Sequence, residues 1–179
     1  MNEKINLFLE NNRALEDVKG LWGLYGFQIK SSALTCTMKN QRVDTNRINL
    51  ALNIIKKNTS KFSNFRGINK LTTAITISFE DDKEYSLSEI IAIYDKLKEK
   101  FFTNEYLVMA AQVIFNARYR VNVNDAAKNT RVAYDYMKKH HRFLTGQEDI
   151  ANAAIIATTS NNLEETFNEI EENYQYLKK

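Results

Sequence analysis

The chain has 179 residues, which suits one domain or one closely packed array that buries roughly 70% of its unfolded surface on folding. With 44% hydrophobic and 26% charged residues it falls outside the disordered class, and its single cysteine, Cys36, excludes an internal disulfide framework. The formal net charge is only +3, no apolar run is long enough to cross a bilayer, and Met1 to Glu10 mixes charges with apolar residues where a secretory signal would be continuous, so the expected setting is cytoplasmic, with no membrane partner.

There is no proline and there are five glycines. Proline breaks helix interiors, and β-rich folds carry more turn punctuation than this, so the chain reads as all-α. The first helix is expected from about Glu3 to Lys19. Leu21 to Ile29, directly after Gly20, holds two more of the glycines with Trp22, Tyr25 and Phe27 among them, and reads as a packed loop. Residues 1–29 are thus a helix plus a glycine and aromatic loop, and 30–179 an array of helix pairs, within one domain spanning 1–179.

Cys36 sits among Leu34, Thr35, Thr37 and Met38 and reads as a small buried hydrophobe. Asp44 is placed to cap a helix carrying Ile48, Leu52 and Ile55, with Val43 and Ile48 as its hydrophobic staple. Phe62 and Phe65 read as packing residues. Thr72 to Phe79 alternates and is β-branched, which taken alone signals a strand; it is assigned to a helix because the repeat described below puts it where a helix belongs.

Ser86 with Glu89 forms a candidate capping box, flanked by Tyr85 and Ile90 as a staple, and Thr145 with Glu148 forms another. Tyr106 to Ala117 is nearly all apolar and reads as a buried helix, paired with an amphipathic one from about Asn124 to Lys139. The last pair is Ile150 to Thr158 and Leu163 to Lys178. In the latter Leu163, Phe167, Ile170, Tyr174 and Leu177 make one helical stripe behind a cap at Asn162.

A period near forty residues organises these elements. Tyr94, Tyr134 and Tyr174 are forty apart and open related segments, Tyr94-Asp95-Lys96-Leu97-Lys98, Tyr134-Asp135-Tyr136-Met137-Lys138 and Tyr174-Gln175-Tyr176-Leu177-Lys178. Each of the triplets Phe62-Ser63-Asn64, Phe102-Thr103-Asn104 and Leu144-Thr145-Gly146 precedes a new helix. Such periods belong to stacked helical units, so the expected architecture is an irregular α-solenoid of about eight or nine helices.

Three segments together, Phe62-Ser63-Asn64-Phe65-Arg66-Gly67, the Tyr-x-x-Leu/Met-Lys helix ends and His141-Arg142-Phe143-Leu144-Thr145-Gly146-Gln147-Glu148-Asp149, resemble the bacterial family of unknown function DUF4003 over most of the chain. The resemblance implies no established activity. Where it would place proline, after the histidine and near the next helix start, this chain has Arg142 and Ile150. It also implies longer relatives, and since Lys179 falls within a helical pattern, the chain is expected to be an N-terminal portion of a longer protein.

Charge is segregated. Residues 28–70 hold six Lys and three Arg against the single Asp44, a local net of +8, while 80–105 is net −4, 118–142 net +5 and 161–179 net −3. The basic segment is either a solvated surface that pairs with the chain's own acidic helices or a surface that neutralises phosphates. The second reading needs Lys30, Arg42, Arg47, Lys56, Lys57, Arg66 and Lys70 on one face, with Arg42, Arg47, Arg66 and Lys70 as the binding candidates. Arg66, between Phe65 and Gly67 near a helix start, either holds an anion or bonds a neighbouring loop carbonyl or carboxylate.

His140 and His141 are adjacent, and on a helix their side chains diverge by about 100°, which chelates a metal poorly. A helix end suits them better, because positive charge is favourable there. The acidic run Glu80-Asp81-Asp82-Lys83-Glu84 lacks the spacing and central glycine of a calcium loop. No phosphate-binding glycine loop, serine elbow, kinase signature or paired-cysteine motif is present, and no cofactor is implied. The leading expectation is a non-catalytic scaffold for an unidentified protein partner, by analogy with solenoids. Nucleic-acid or anion binding through 28–70 is the alternative, and an enzyme using carboxylate or tyrosine chemistry the third.

Overall fold

The computed structural model describes residues 2–18 and 26–178. Within them it is all-helical and contains no strand: α1 (Asn2–Glu16), α2 (Gly26–Met38), α3 (Thr45–Asn58), α4 (Lys70–Ser78), α5 (Lys83–Lys98), α6 (Tyr106–Ala117), α7 (Val123–His140), a 3₁₀ turn (Gln147–Asp149), α8 (Ile150–Thr159) and α9 (Leu163–Leu177). Two compact units, 1–88 and 89–179, divide the chain within α5.

In the first unit α1 packs on α2, α2 on α4, and α3 on α4. Ile29, Ala33 and Cys36 lie at helical spacing on the buried face of α2, which explains why Gly26 to Ile29 is the start of a helix where a loop was expected. The rest of that expected loop, 21–25, lies outside the described residues, as does Lys19; α1 ends at Glu16. Asn40 closes α2 in the left-handed conformation, φ 55°, with the Gln41 N–H donating to the Cys36 carbonyl at 2.9 Å. Asparagine is among the few residues that tolerate this φ.

One buried polar side chain ties this unit together. Asn11 of α1 donates from Nδ2 to Thr37 Oγ1 at 3.1 Å and to the Gln41 carbonyl at 3.0 Å, and its Oδ1 accepts from the Val43 N–H at 2.9 Å. Thr72 to Ser78 is helical, as expected, and Phe79 follows the helix end. Leu71, Ala74, Ile75 and Ile77 are buried there, so tertiary burial overrides the β preference of its threonines and isoleucines.

In the second unit α8 packs on both α6 and α7, and α9 packs on α8. Ala110 and Ala111 of α6 and Ala153 and Ala154 of α8 are fully buried. Phe167 anchors α9 against Ala133 and Ala153 and stacks on Tyr136 at 4.1 Å. It is the only member of the α9 stripe buried among the described residues; Leu177 is exposed.

Three helix caps share the forty-residue spacing. Asp82, Asn122 and Asn162 are forty apart, and each accepts backbone N–H groups of the first turn that follows: Tyr85 N–H at 2.9 Å, Asn124 N–H at 2.9 Å and Glu164 N–H at 3.0 Å. These side chains satisfy donors that the helix itself leaves unpaired. Asp44 does the same for α3, as expected, accepting from Asn46 and Arg47.

Two expected caps are displaced. Asp82 starts α5 a turn earlier than Ser86, whose buried hydroxyl donates to the Asp82 carbonyl, and Tyr85 is exposed rather than stapled. Thr145 donates to the Met137 and His141 carbonyls, ending α7, while the Gly146 N–H donates to Asp149 Oδ2 at 2.9 Å. The tyrosines also have related neighbours in the second unit. Phe101, just past α5, meets Tyr134 edge-on at 5.4 Å, and His141, just past α7 and forty residues later, meets Tyr174 at 4.3 Å.

Candidate anion-binding cleft

The α3 sequence places Asn49, Leu52, Asn53 and Lys56 at i, i+3, i+4 and i+7, one face of a helix. That face, with Ile55, Arg66 from the following connection and Lys70 at the start of α4, lines a cleft of about 530 Å³. Leu52 and Ile55 are buried and give it an apolar floor. Its polar groups are three cations and two carboxamides, and no acid lines it.

The Arg66 guanidinium is held in place by α3. Nε donates to Thr59 Oγ1 at 3.0 Å, and Nη2 donates to the carbonyls of Lys56 and Thr59. A cation over the last carbonyls of a helix is favourable because those acceptors have no partner inside the helix. Arg66 therefore bonds its neighbouring carbonyls and also borders the cleft.

The four candidate cations separate into three places. Arg66 and Lys70 share this cleft. Arg42 pairs with Glu10 in a different groove, bordered also by Glu3 and Lys4. Arg47 Nη2 donates to the Glu80 carbonyl at 3.3 Å. Lys57 points to Glu84 at 3.8 Å, so part of the basic segment meets the chain's own acidic run. Asn49 and Asn53, absent from the sequence expectations, enter the site only through the face of α3 that borders this cleft.

A second cleft, of about 570 Å³ in the second unit, is bordered by Phe101, Phe102, Asn104, Arg131, Tyr134 and Gln147 among others. Arg131 stacks over Phe101 and pairs with Asp135 at 2.8 Å; the hydrogen bond that it donates to that carboxylate raises the arginine pKa above its ordinary value. Burial pushes the Tyr134 hydroxyl upward as well.

The connections between helices expose large apolar side chains. Phe62, expected to pack, is 93% exposed, Phe102 is 88% exposed, and Phe143 is fully exposed with Leu144 at 67%. In each connection a different residue takes the inward position: Phe65 at 2%, Phe101 at 9%, and the His141 ring against Tyr174. Once that position is filled, the neighbouring ring is left facing solvent.

The histidines diverge as their adjacency implied. His140 stacks on Tyr136 at 4.2 Å, and His141 Nε2 lies 2.9 Å from Glu171. The Glu171 carboxyl is held below its usual range, chiefly by the Gln175 amide and also by His141. Among the described residues no cluster of three or more His, Cys, Asp or Glu could hold a metal ion, and no helix is long and apolar enough to cross a membrane. Cys36 is buried, and burial pushes its thiol up to about 11, as befits a packing residue.

No curated protein and no solved structure matches the chain. A family model for proteins of unknown function matches residues 16–179, and the chain belongs to that family, DUF4003.

Proposed function

We infer that this protein is an interaction module built from repeated helix pairs, whose connections hold out apolar anchors for a protein partner. One observation carries the reading: the apolar residue that opens each of the three related triplets is exposed, Phe62 at 93%, Phe102 at 88% and Leu144 at 67%. Scattered surface apolar residues are ordinary. A large apolar side chain exposed at the same place of each triplet is different, because each inward position is already filled by another residue. Aromatic side chains are the residues that interfaces use as anchors.

The period supports an irregular α-solenoid, an architecture that displays equivalent positions of successive repeats. The reading places the module in the cytoplasm, where a lone buried thiol such as Cys36 stays reduced. Phe102 sits beside the cleft bordered by Arg131 and Tyr134, so its anchor has polar and aromatic neighbours for a partner to meet.

The experiment uses Phe102→Ser with Phe143→Ser, and Phe62→Ser separately, in affinity capture with photo-crosslinking from position 102. A defined partner should crosslink in a saturable manner and be lost from the double variant. The melting temperature should hold, since exposed substitutions cost within about 0.5 kcal/mol. Capture of the same proteins by the double variant, or a large fall in its stability, refutes the reading.

A further inference from the structure

We propose that the α3–α4 cleft binds a small phosphorylated molecule, with Lys56, Arg66 and Lys70 on the phosphate and Asn49 and Asn53 on hydroxyl groups of its body.

The first argument is charge without compensation. Lys56 Nζ, Lys70 Nζ and Arg66 Nη1 take no partner among the described residues, and no carboxylate lines the cleft. Other cations of the same segment are engaged, Arg42 with Glu10, Arg47 with the Glu80 carbonyl and Lys57 with Glu84. These three cations are thus directed to partners outside the cleft, and none of them lines it. A phosphomonoester carries between one and two negative charges and three acceptor oxygens, which this set of donors matches.

The second argument is preorganisation. Arg66 is clamped through Nε and Nη2 to Thr59 and Lys56, so the outer edge of its guanidinium is fixed before any ligand arrives. A donor already held in place loses less entropy on binding than a free lysine does.

The third argument concerns the rest of the ligand. Each carboxamide of Asn49 and Asn53 offers both a donor and an acceptor, the combination a hydroxyl group needs, and neither has an intrachain partner among the described residues. The volume of about 530 Å³ suits a small molecule above the Leu52 and Ile55 floor. A nucleic-acid strand fits less well. Arg42, Arg47 and Lys57 are directed to other partners, and no aromatic ring lines the cleft to stack a base.

Titration calorimetry on the full chain at low salt tests this with ribose 5-phosphate, glycerol 3-phosphate, unphosphorylated ribose, inorganic phosphate and a single strand of about twelve nucleotides. At least one phosphate ester should bind about tenfold or more tightly than ribose and than inorganic phosphate. Lys56→Ala and Lys70→Ala should each weaken it about tenfold, the loss expected for one charge-assisted hydrogen bond, with unchanged melting temperatures. Arg66→Ala is avoided because Arg66 also caps α3. The proposal is overturned if neither ester binds at millimolar concentration, if the lysine variants bind like the parent, or if inorganic phosphate binds as tightly as the esters. Binding of the oligonucleotide alone, falling steeply with salt, would assign the cations to nucleic acid instead and equally overturn it.

Discussion

Replacing Asn11 with alanine should destabilise the first unit by an amount that follows from three hydrogen bonds. The side chain is 1% exposed and joins α1 to the end of α2 and to the segment leading into α3. Thr37 loses least, because its hydroxyl keeps a 2.7 Å bond to the Ala33 carbonyl. The part-buried Gln41 carbonyl and Val43 N–H lose the Asn11 partner, and a polar group left unpaired beside the core costs about 1–3 kcal/mol, the lower half applying where water can reach it. Two such groups imply about 3 kcal/mol, and for a chain of this size about 6–12 °C in melting temperature. Asn11→Asp separates the hydrogen-bonding account from a simple loss of volume. Burial would raise the new carboxyl above the unfolded value of about 3.9, so its protonated form is favoured in the fold. The Asp variant should therefore gain stability relative to the parent as the pH falls from neutral towards 4. Far-UV circular dichroism melts of both variants at pH 7 and pH 4 provide the assay. A shift below about 2 °C for Asn11→Ala, or a pH-independent deficit for Asn11→Asp, would refute the reasoning.

Three further outcomes are expected. Asn122→Ala and Asn162→Ala should each cost about 1 kcal/mol in denaturant melts, since each removes the acceptor for two first-turn N–H groups, while Ser86→Ala should not behave as a cap loss. Glu171 has a lowered carboxyl pKa, so its contribution is present above the unfolded value and lost as the pH falls through the folded one; parent stability should drop below about pH 4.5 more steeply than that of Glu171→Gln. Cys36 should resist a thiol reagent at pH 8 in the folded chain and react on denaturation, whereas fast labelling of the native protein would show that α2 is not packed as described.

Much of the helical skeleton is legible in the chain itself, because its signals are local. Asp44 and Asn162 stand directly before apolar periodic segments, and each caps the helix it precedes. Thr72 to Ser78 was readable only through the repeat, since its own β-branched residues argue for a strand until burial decides. Where several polar residues compete for one helix start, local rules choose poorly. Ser86 with Glu89 matches the capping pattern, but Asp82 lies a turn earlier and in register with Asn122 and Asn162. Long-range polar contacts leave no periodic trace, so nothing in the sequence links Asn11 to Gln41 and Val43. The exposure of Phe62 was hidden for a related reason: a phenylalanine in a turn faces in or out according to which neighbour fills the core, and here Phe65 does. At the cleft, charge pointed to Arg66 and Lys70, but the same charge pointed equally to Arg42 and Arg47, which tertiary structure directs to Glu10 and to the Glu80 carbonyl. Asn49 and Asn53 became visible only when their helix face proved to border a cavity.

Hydroxyl-radical footprinting of Phe62, Phe102 and Phe143, in the purified chain and in intact cells producing it, tests the interaction role most directly. The account predicts fast oxidation of all three rings in the purified protein, with Phe65 and Phe101 spared, and protection of Phe102 and Phe143 in the cell. Equal oxidation of these rings in both settings, or protection already present in the isolated chain, would contradict it.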